Sequence, residues 1–158
     1  MRQKESRETI MDIEQLRLEI EADEGNVGEI YLDHIKLPTF GIGHLVKKTD
    51  PEYGMPVGTP VSRKRVNSCF NEDIMGTIED CEKLYNNFYK LPEEVKLILC
   101  NMMYNLGYTR LSKFSKLKKA INDNDWKEAS KQMHQSKWRT QVPNRAERLI
   151  NRMKAVGA

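Results

Sequence analysis

The apolar positions of the chain follow a helical period in most places and a strand period in only one. Apolar residues recur three or four positions apart before residue 23, again after Ser62, and in several segments after residue 92. Between Gly25 and Leu45 they alternate with polar residues and glycines instead, which is typical of strands. The sequence therefore predicts a mainly helical α+β protein with one small antiparallel sheet, and it argues against a parallel α/β fold.

Residues that begin or end helices give the predicted elements their limits. Ser62 and Asp125 are typical N-cap residues, and Pro92 and Pro143 stand at first-turn positions, where proline is tolerated. The segment 47–60 is rich in proline and glycine and predicts a loop. The predicted helices are 8–23, one that begins after Ser62, 92–106, 112–122, 125–135 and 143–154.

The alternating segment predicts a β-hairpin. One strand ends near Asp33, a turn covers residues 34–38, and a return strand over 39–44 places Thr39, Gly41 and Gly43 on one face. Glycine within a strand often marks the close approach of a ligand or of another part of the backbone. We therefore expect such an approach at this face of the return strand.

Glu24 stands at the end of the first predicted helix, directly before Gly25. Glycine often ends a helix, and the carbonyl end of a helix disfavours a negative charge by a few tenths to about 1 kcal/mol. A carboxylate placed against this preference indicates a functional role, and a solvated acid at a helix end is an equal alternative. Asp33 and Thr39 add a second carboxylate and a hydroxyl within the same segment. Taken singly, each is more ordinary as a turn-forming aspartate and a β-branched strand residue.

The spacing of these three residues resembles the signature of the T-even bacteriophage lysozymes, which is Glu, eight residues, Asp, five residues, Thr. The matching segments, in family order, are DEG, IYLD, PTFGIGHL, NMMYNLG, KW and QVPNRAERLI. The resemblance implies a phage-type lysozyme fold in one domain with two lobes. The small β-hairpin lobe with a linking helix would cover about 24–70, and the larger helical lobe about 8–23 and 71–158.

The family resemblance implies an N-acetylmuramidase that acts on bacterial peptidoglycan without a metal or other cofactor. Its reaction would hydrolyse the β-1,4 bond between N-acetylmuramic acid and N-acetylglucosamine. Glu24 would be the general acid, while Asp33 and Thr39 would hold and activate a water on the opposite face of the sugar. Such an arrangement inverts the anomeric centre and needs carboxyl groups roughly 6.5 to 9.5 Å apart.

Further roles are implied by the resemblance alone. Arg145 matches an arginine that pairs with the catalytic glutamate, and His44 and Asp73 match an ion pair between the strand end and the following helix. For Tyr104 a place in the core is an equal alternative to sugar contact. The positions that match the lining of the family's saccharide cleft are Leu45, Tyr104, Asn105 and Gln132.

Positive charge is concentrated in the C-terminal part of the chain. From Thr109 onward there are thirteen lysines and arginines against four acidic residues, although the whole chain has a net charge of only +3. This excess favours either an ordinary solvated surface or attraction to polyanions. Given the resemblance, the expected partner is peptidoglycan and not nucleic acid. The alternatives are a non-catalytic peptidoglycan-binding module and, less favoured, membrane disruption by exposed basic helices.

The cysteines and the hydropathy limit the remaining possibilities. The chain has three cysteines, an odd number, and their spacing is not that of metal ligands. Reduced thiols in the core are therefore expected at Cys69, Cys81 and Cys100. No run of 18 apolar residues could span a bilayer, and the N-terminal residues lack the apolar region of a signal peptide. The expectation is a monomer made in the host cytoplasm that reaches the periplasmic cell wall through a holin or on the virion.

Overall fold

The computed structural model describes residues 11–158. They form two compact units. One comprises the described residues up to Leu16 together with Thr77–Ala158, and the other is Arg17–Gly76. Residues 8–10 of the first predicted helix lie outside the described part of the chain.

The unit Arg17–Gly76 contains a three-stranded antiparallel sheet. Helix α1 (Ile13–Glu24) precedes the sheet and ends at Gly25, whose φ is 79° and whose N–H donates to the Glu21 carbonyl at 2.8 Å. This left-handed glycine is the helix end that the sequence predicts. The strands follow in spatial order β1 (Val27–Leu32), β2 (Pro38–Gly41) and β3 (His44–Leu45).

The predicted return strand over 39–44 is wrong as a single element, because the chain turns within it. Gly41 and Gly43 have φ values of 63° and 66°, which residues with a Cβ seldom adopt. The turn between them lets Phe40 pair with His44 in an antiparallel register. Two glycines one residue apart therefore convert an apparent strand into a second hairpin.

One row of side chains crosses all three strands. Tyr31 is paired with Thr39, and Thr39 is paired with Leu45 on its other side. Directly opposed residues of an antiparallel pair project to the same face of a sheet, so these three share a face. The other face is buried and carries Phe40 and His44, whose rings lie 4.9 Å apart.

The segment between the sheet and the next helix is a loop, as the sequence predicts. Its end runs along β1, where the Ile30 N–H donates to the Thr59 carbonyl at 3.0 Å. Helix α2 (Arg63–Leu84) follows, and the Ser62 hydroxyl accepts from the Arg65 N–H at 3.1 Å, which confirms Ser62 as the cap. The two boundaries between the units along the chain fall within α1 and within α2.

The unit that includes Thr77–Ala158 is helical. Its elements after α2, in chain order, are a 3₁₀ turn (Phe88–Lys90), α3 (Glu93–Leu106), α4 (Tyr108–Leu111), α5 (Ser115–Asn122), α6 (Trp126–His134), α7 (Lys137–Gln141) and α8 (Pro143–Val156). The Asp125 side chain accepts from the Glu128 N–H at 3.1 Å, so the predicted N-cap of α6 is confirmed. The helix predicted over 112–122 begins three residues late, because a turn after α4 occupies its first positions.

Helix α3 is the centre of this unit. Every residue from 95 to 103 is buried, as the almost uninterrupted apolar run predicts. Helix α8 packs against α3, α6 and α7. Its buried residues include Ala146, Leu149, Ile150 and Met153, so the apolar face that membrane disruption would expose is packed inside the unit.

The three cysteines are buried free thiols, as predicted. Burial raises the pKa of the Cys81 thiol well above its usual value, and a contact with Cys100 acts in the same direction. The Cys81 thiol therefore stays neutral, and all three cysteines are core residues. Among the helices of residues 11–158, none combines the length and the hydropathy needed to cross a bilayer.

Candidate active site

Glu24 is held at the turn between β2 and β3. It is the last residue of α1 and is half-buried. Its Oε1 atom lies 2.6 Å from the position that a Cβ on residue 43 would occupy. Residue 43 must therefore be glycine both for its positive φ and for the space that the Glu24 carboxylate fills.

The close approach expected at the glycines of β2 and its turn is made by the protein's own side chains. At Gly43 the approaching group is the Glu24 carboxylate, and at Gly41 it is Val66, whose Cγ1 would lie 2.9 Å from an added Cβ. The two glycines thus fix α1 and α2 against the sheet of this unit.

Asp33 follows β1 directly and organises the turn into β2. Its Oδ1 atom accepts from the N–H groups of Ile35 at 3.0 Å and Leu37 at 2.9 Å. Aspartate commonly stabilises turns in this way. Because both bonds go to Oδ1, they hold the carboxylate in one orientation while neither engages Oδ2.

Thr39 is buried in β2, with an exposed fraction of 2%. Its hydroxyl donates to the Leu37 carbonyl at 2.9 Å. A hydroxyl has one hydrogen to donate and two lone pairs that accept. With its hydrogen committed to Leu37, Thr39 presents an acceptor oxygen, which suits a residue that orients a water molecule. Leu45, the residue of β3 that is paired with Thr39, is exposed on the same face.

The Tyr31 phenol is affected by the charges of both carboxylates. Burial raises the pKa of its phenol above the usual value, and the negative charges of Glu24 and then Asp33 raise it further. Sequence reasoning left Tyr31 out of the site, although its place two residues before Asp33 was a usable signal.

His44 is held between two carboxylates. Its Nδ1 atom lies 2.7 Å from Asp73 and its Nε2 atom 2.8 Å from Asp50. Burial lowers the pKa of His44, but the hydrogen bonds and charges of the two aspartates outweigh it, so the pKa is raised. The contact with Asp73 that the family resemblance implies is present. The contact with Asp50 was not foreseen.

A second ion-pair cluster adjoins this histidine. Arg65 donates through Nε and Nη2 to the two carboxylate oxygens of Glu52, each at 3.0 Å, and through Nη2 to Asp50 at 3.2 Å. The bond from Arg65 lowers the pKa of the Glu52 carboxyl. Such forked pairs hold both partners in a fixed geometry. The loop is thereby attached to α2 and to β3.

Arg145, Tyr104 and Asn105 lie in the helical unit. Arg145 is buried and donates from Nε to the Asn101 side-chain oxygen at 2.7 Å. The Asn105 side-chain oxygen accepts from the Trp138 indole N–H at 2.8 Å, and Tyr104 is half-buried on α3. In this unit, therefore, Arg145 and Asn105 are fixed by hydrogen bonds that involve α3. Their proposed roles toward the glutamate and the sugar stay predictions.

Gln132 lies at a cavity of about 350 Å³ in the helical unit. Its side-chain nitrogen donates to Glu128, one turn earlier on α6. The residues that line the cavity include three lysines and no acidic residue, so its mouth carries positive charge. They are Lys113, Phe114, Ser115, Lys116, Leu117, Gln132, Gln135, Ser136 and Lys137.

The mainly helical fold, with a carboxylate at the end of α1, a second carboxylate directly after β1 and a hydroxyl on β2, defines a lysozyme-like glycoside hydrolase. The family described as Phage lysozyme matches residues 21–155. The chain belongs to the phage lysozyme family.

Two relatives from Dictyostelium discoideum agree with this assignment. Probable T4-type lysozyme 2 is 31% identical over 148 residues, which cover 82% of this chain and 87% of the relative. Probable T4-type lysozyme 1 is 28% identical over 149 residues, with the same two coverages. The matches span most of both chains, so they concern the whole fold and not a local motif.

Proposed function

We propose that this protein is an N-acetylmuramidase that hydrolyses the β-1,4 bond between N-acetylmuramic acid and N-acetylglucosamine in bacterial peptidoglycan. The observation that carries the proposal is the placement of the Glu24 carboxylate against Gly43. This contact brings a carboxylic acid to the sheet that bears Asp33 and Thr39. Membership of the phage lysozyme family supports the enzyme class.

In the proposed reaction, Glu24 donates its proton to the glycosidic oxygen as the bond to the anomeric carbon breaks. Asp33 takes a proton from the water that attacks the same carbon from the opposite face. The other hydrogen of that water stays on its oxygen and donates a hydrogen bond to the Thr39 hydroxyl oxygen, whose own hydrogen is donated to the Leu37 carbonyl. One displacement with attack from the opposite face inverts the anomeric configuration.

The proposed biological setting is phage-mediated lysis. The protein would be made in the host cytoplasm and would act on periplasmic peptidoglycan after release through a holin or delivery by the virion. The basic C-terminal part of the chain supports this setting, because anionic polymers of the cell envelope attract positive charge.

Clearing of a bacterial suspension tests the proposal. Bacteria with a permeabilised outer membrane are treated with wild type, with Glu24→Gln, and with Glu72→Gln as a control at an exposed glutamate on α2. The release of reducing sugar from purified peptidoglycan is measured in parallel. We expect wild type and Glu72→Gln to be active and Glu24→Gln to be inactive in both assays.

The other function classes give different results. A membrane disrupter clears the suspension with or without Glu24 and releases no reducing sugar. A peptidoglycan-binding module sediments with peptidoglycan but neither clears the suspension nor releases sugar. Either result contradicts the proposal.

A further inference from the structure

Tyr31 completes a row of side chains that the proposed mechanism already uses in part. It is paired with Thr39 across β1 and β2, and Thr39 is paired with Leu45 across β2 and β3. Paired residues share a face of the sheet. Asp33 is two residues beyond Tyr31, so it continues the same face past the end of β1. Tyr31 thus stands beside the proposed base and the proposed water-holding hydroxyl.

The proposed acid reaches the same place from another element. Glu24 ends α1, and its carboxylate is seated against Gly43 in the turn that follows β2. Both the Glu24 and the Asp33 charges act on the Tyr31 phenol and keep its proton in place, in addition to the effect of burial. The phenol is therefore a neutral hydrogen-bond donor. In the proposed reaction Glu24 is the protonated acid and Asp33 is the ionised base.

We propose that Tyr31 is a positioning residue of the hydrolysis, with its phenolic O–H directed between the Glu24 and Asp33 carboxylates, where it orients the water that Asp33 activates. This inference rests on the proposed function. The single phenolic hydrogen of Tyr31 is donated to the oxygen of that water, on the side opposite the Thr39 oxygen, which accepts.

The half-buried ring of Tyr31 distinguishes it from a tyrosine that is merely solvated. Tyr53, in the loop of the same unit, has 57% of its surface exposed. It lies outside the row of the three strands and provides a matched control. Tyr31→Phe removes the hydroxyl and keeps the ring, so the packing of the sheet face is preserved.

The experiment measures kcat and KM of reducing-sugar release, together with the thermal midpoint, for wild type, Tyr31→Phe and Tyr53→Phe. For Tyr31→Phe we expect kcat to fall roughly 3- to 10-fold, the loss typical when a hydrogen bond between neutral groups is removed. KM should stay within about twofold, because a bond that acts on the water leaves sugar binding unchanged.

Each contrary result has a distinct meaning. A wild-type kcat in Tyr31→Phe overturns the inference, and so does an equal fall of kcat in Tyr53→Phe. A fall in kcat that is accompanied by a raised KM and a lower thermal midpoint indicates a purely structural role and also overturns it. If wild type itself releases no sugar, the proposed function has failed. This result is obtained with the unchanged protein, so it is distinct from a failure of the inference about Tyr31.

Discussion

The Oε1 atom of Glu24 lies 2.6 Å from the position that a Cβ on residue 43 would occupy. The Glu24 carboxylate, which the proposed mechanism uses as an acid, therefore occupies space that a side chain at position 43 would fill. This contact explains how a glutamate at an unfavourable helix end is fixed to the sheet. It also makes Gly43 a sensitive point for activity.

Gly43→Ala should displace the Glu24 carboxylate and lower kcat by an order of magnitude or more, because a shift of about 1 Å in a catalytic group can cost roughly 100-fold. Gly54→Ala is the matched control, since Gly54 also has a positive φ of 84° but no atom within 4 Å of an added Cβ. Both variants should lose about 1 to 2 kcal/mol of stability from backbone strain. Equal kcat values in the two variants would show that the contact does not position Glu24.

His44 should make the stability of the protein depend on pH. Its folded-state pKa is raised, because the bonds to Asp73 and Asp50 outweigh burial. The stabilisation is therefore fully present below the unfolded value, near 6.5, and is lost as pH rises through the folded pKa. At pH 5.5 Asp50 is still ionised, since its own pKa is lowered below the usual range.

Asp73→Asn tests this dependence by urea unfolding at pH 5.5 and pH 8. We expect a loss on the order of 1 kcal/mol at pH 5.5, as for a hydrogen bond to a charged group, and a smaller loss at pH 8. Glu72→Gln, at the neighbouring exposed residue, should change neither value. Equal losses for Asp73→Asn at both pH values would mean that His44 does not carry the charge.

Asn105 can be tested for two roles at once. Its side-chain oxygen binds the indole N–H of buried Trp138. The family resemblance implies that the residue lines the saccharide cleft, and its amide nitrogen would be the group that donates to a sugar there. Asn105→Ala should lose about 1 to 3 kcal/mol of stability, because the indole donor loses its partner. Asn105→Asp keeps the acceptor and removes the amide donor, so it should raise KM with little loss of stability. A wild-type KM in Asn105→Asp would exclude the sugar contact.

Local signals in the sequence predict most of the fold. The period of the apolar residues finds α1, α2, α3, α6 and α8. The limits of these helices are marked by residues that act on their own backbone neighbours. They are Gly25, Ser62, Asp125 and Pro143. The return strand failed because Gly41 and Gly43 permit strand and turn alike, and only the pairing of Phe40 with His44 decides between them.

The site is predictable to a smaller extent. The spacing of Glu24, Asp33 and Thr39 identifies the candidates, and the charges of Glu24 and Asp33 both raise the pKa of the Tyr31 phenol, after burial as the largest cause. The cluster of Arg65, Glu52 and Asp50 could not be foreseen, because partners 13 and 15 residues apart are brought together by the path of a loop without a regular period.

The configuration of the first product tests the central claim most directly. A soluble peptidoglycan oligosaccharide is hydrolysed by wild type and followed by proton nuclear magnetic resonance before mutarotation is complete. If Glu24 acts as the acid while Asp33 and Thr39 deliver water from the opposite face, the new reducing-end N-acetylmuramic acid appears first as the α-anomer. If the β-anomer appears first, the bond is cleaved with retention, and the proposed roles of Asp33 and Thr39 are contradicted.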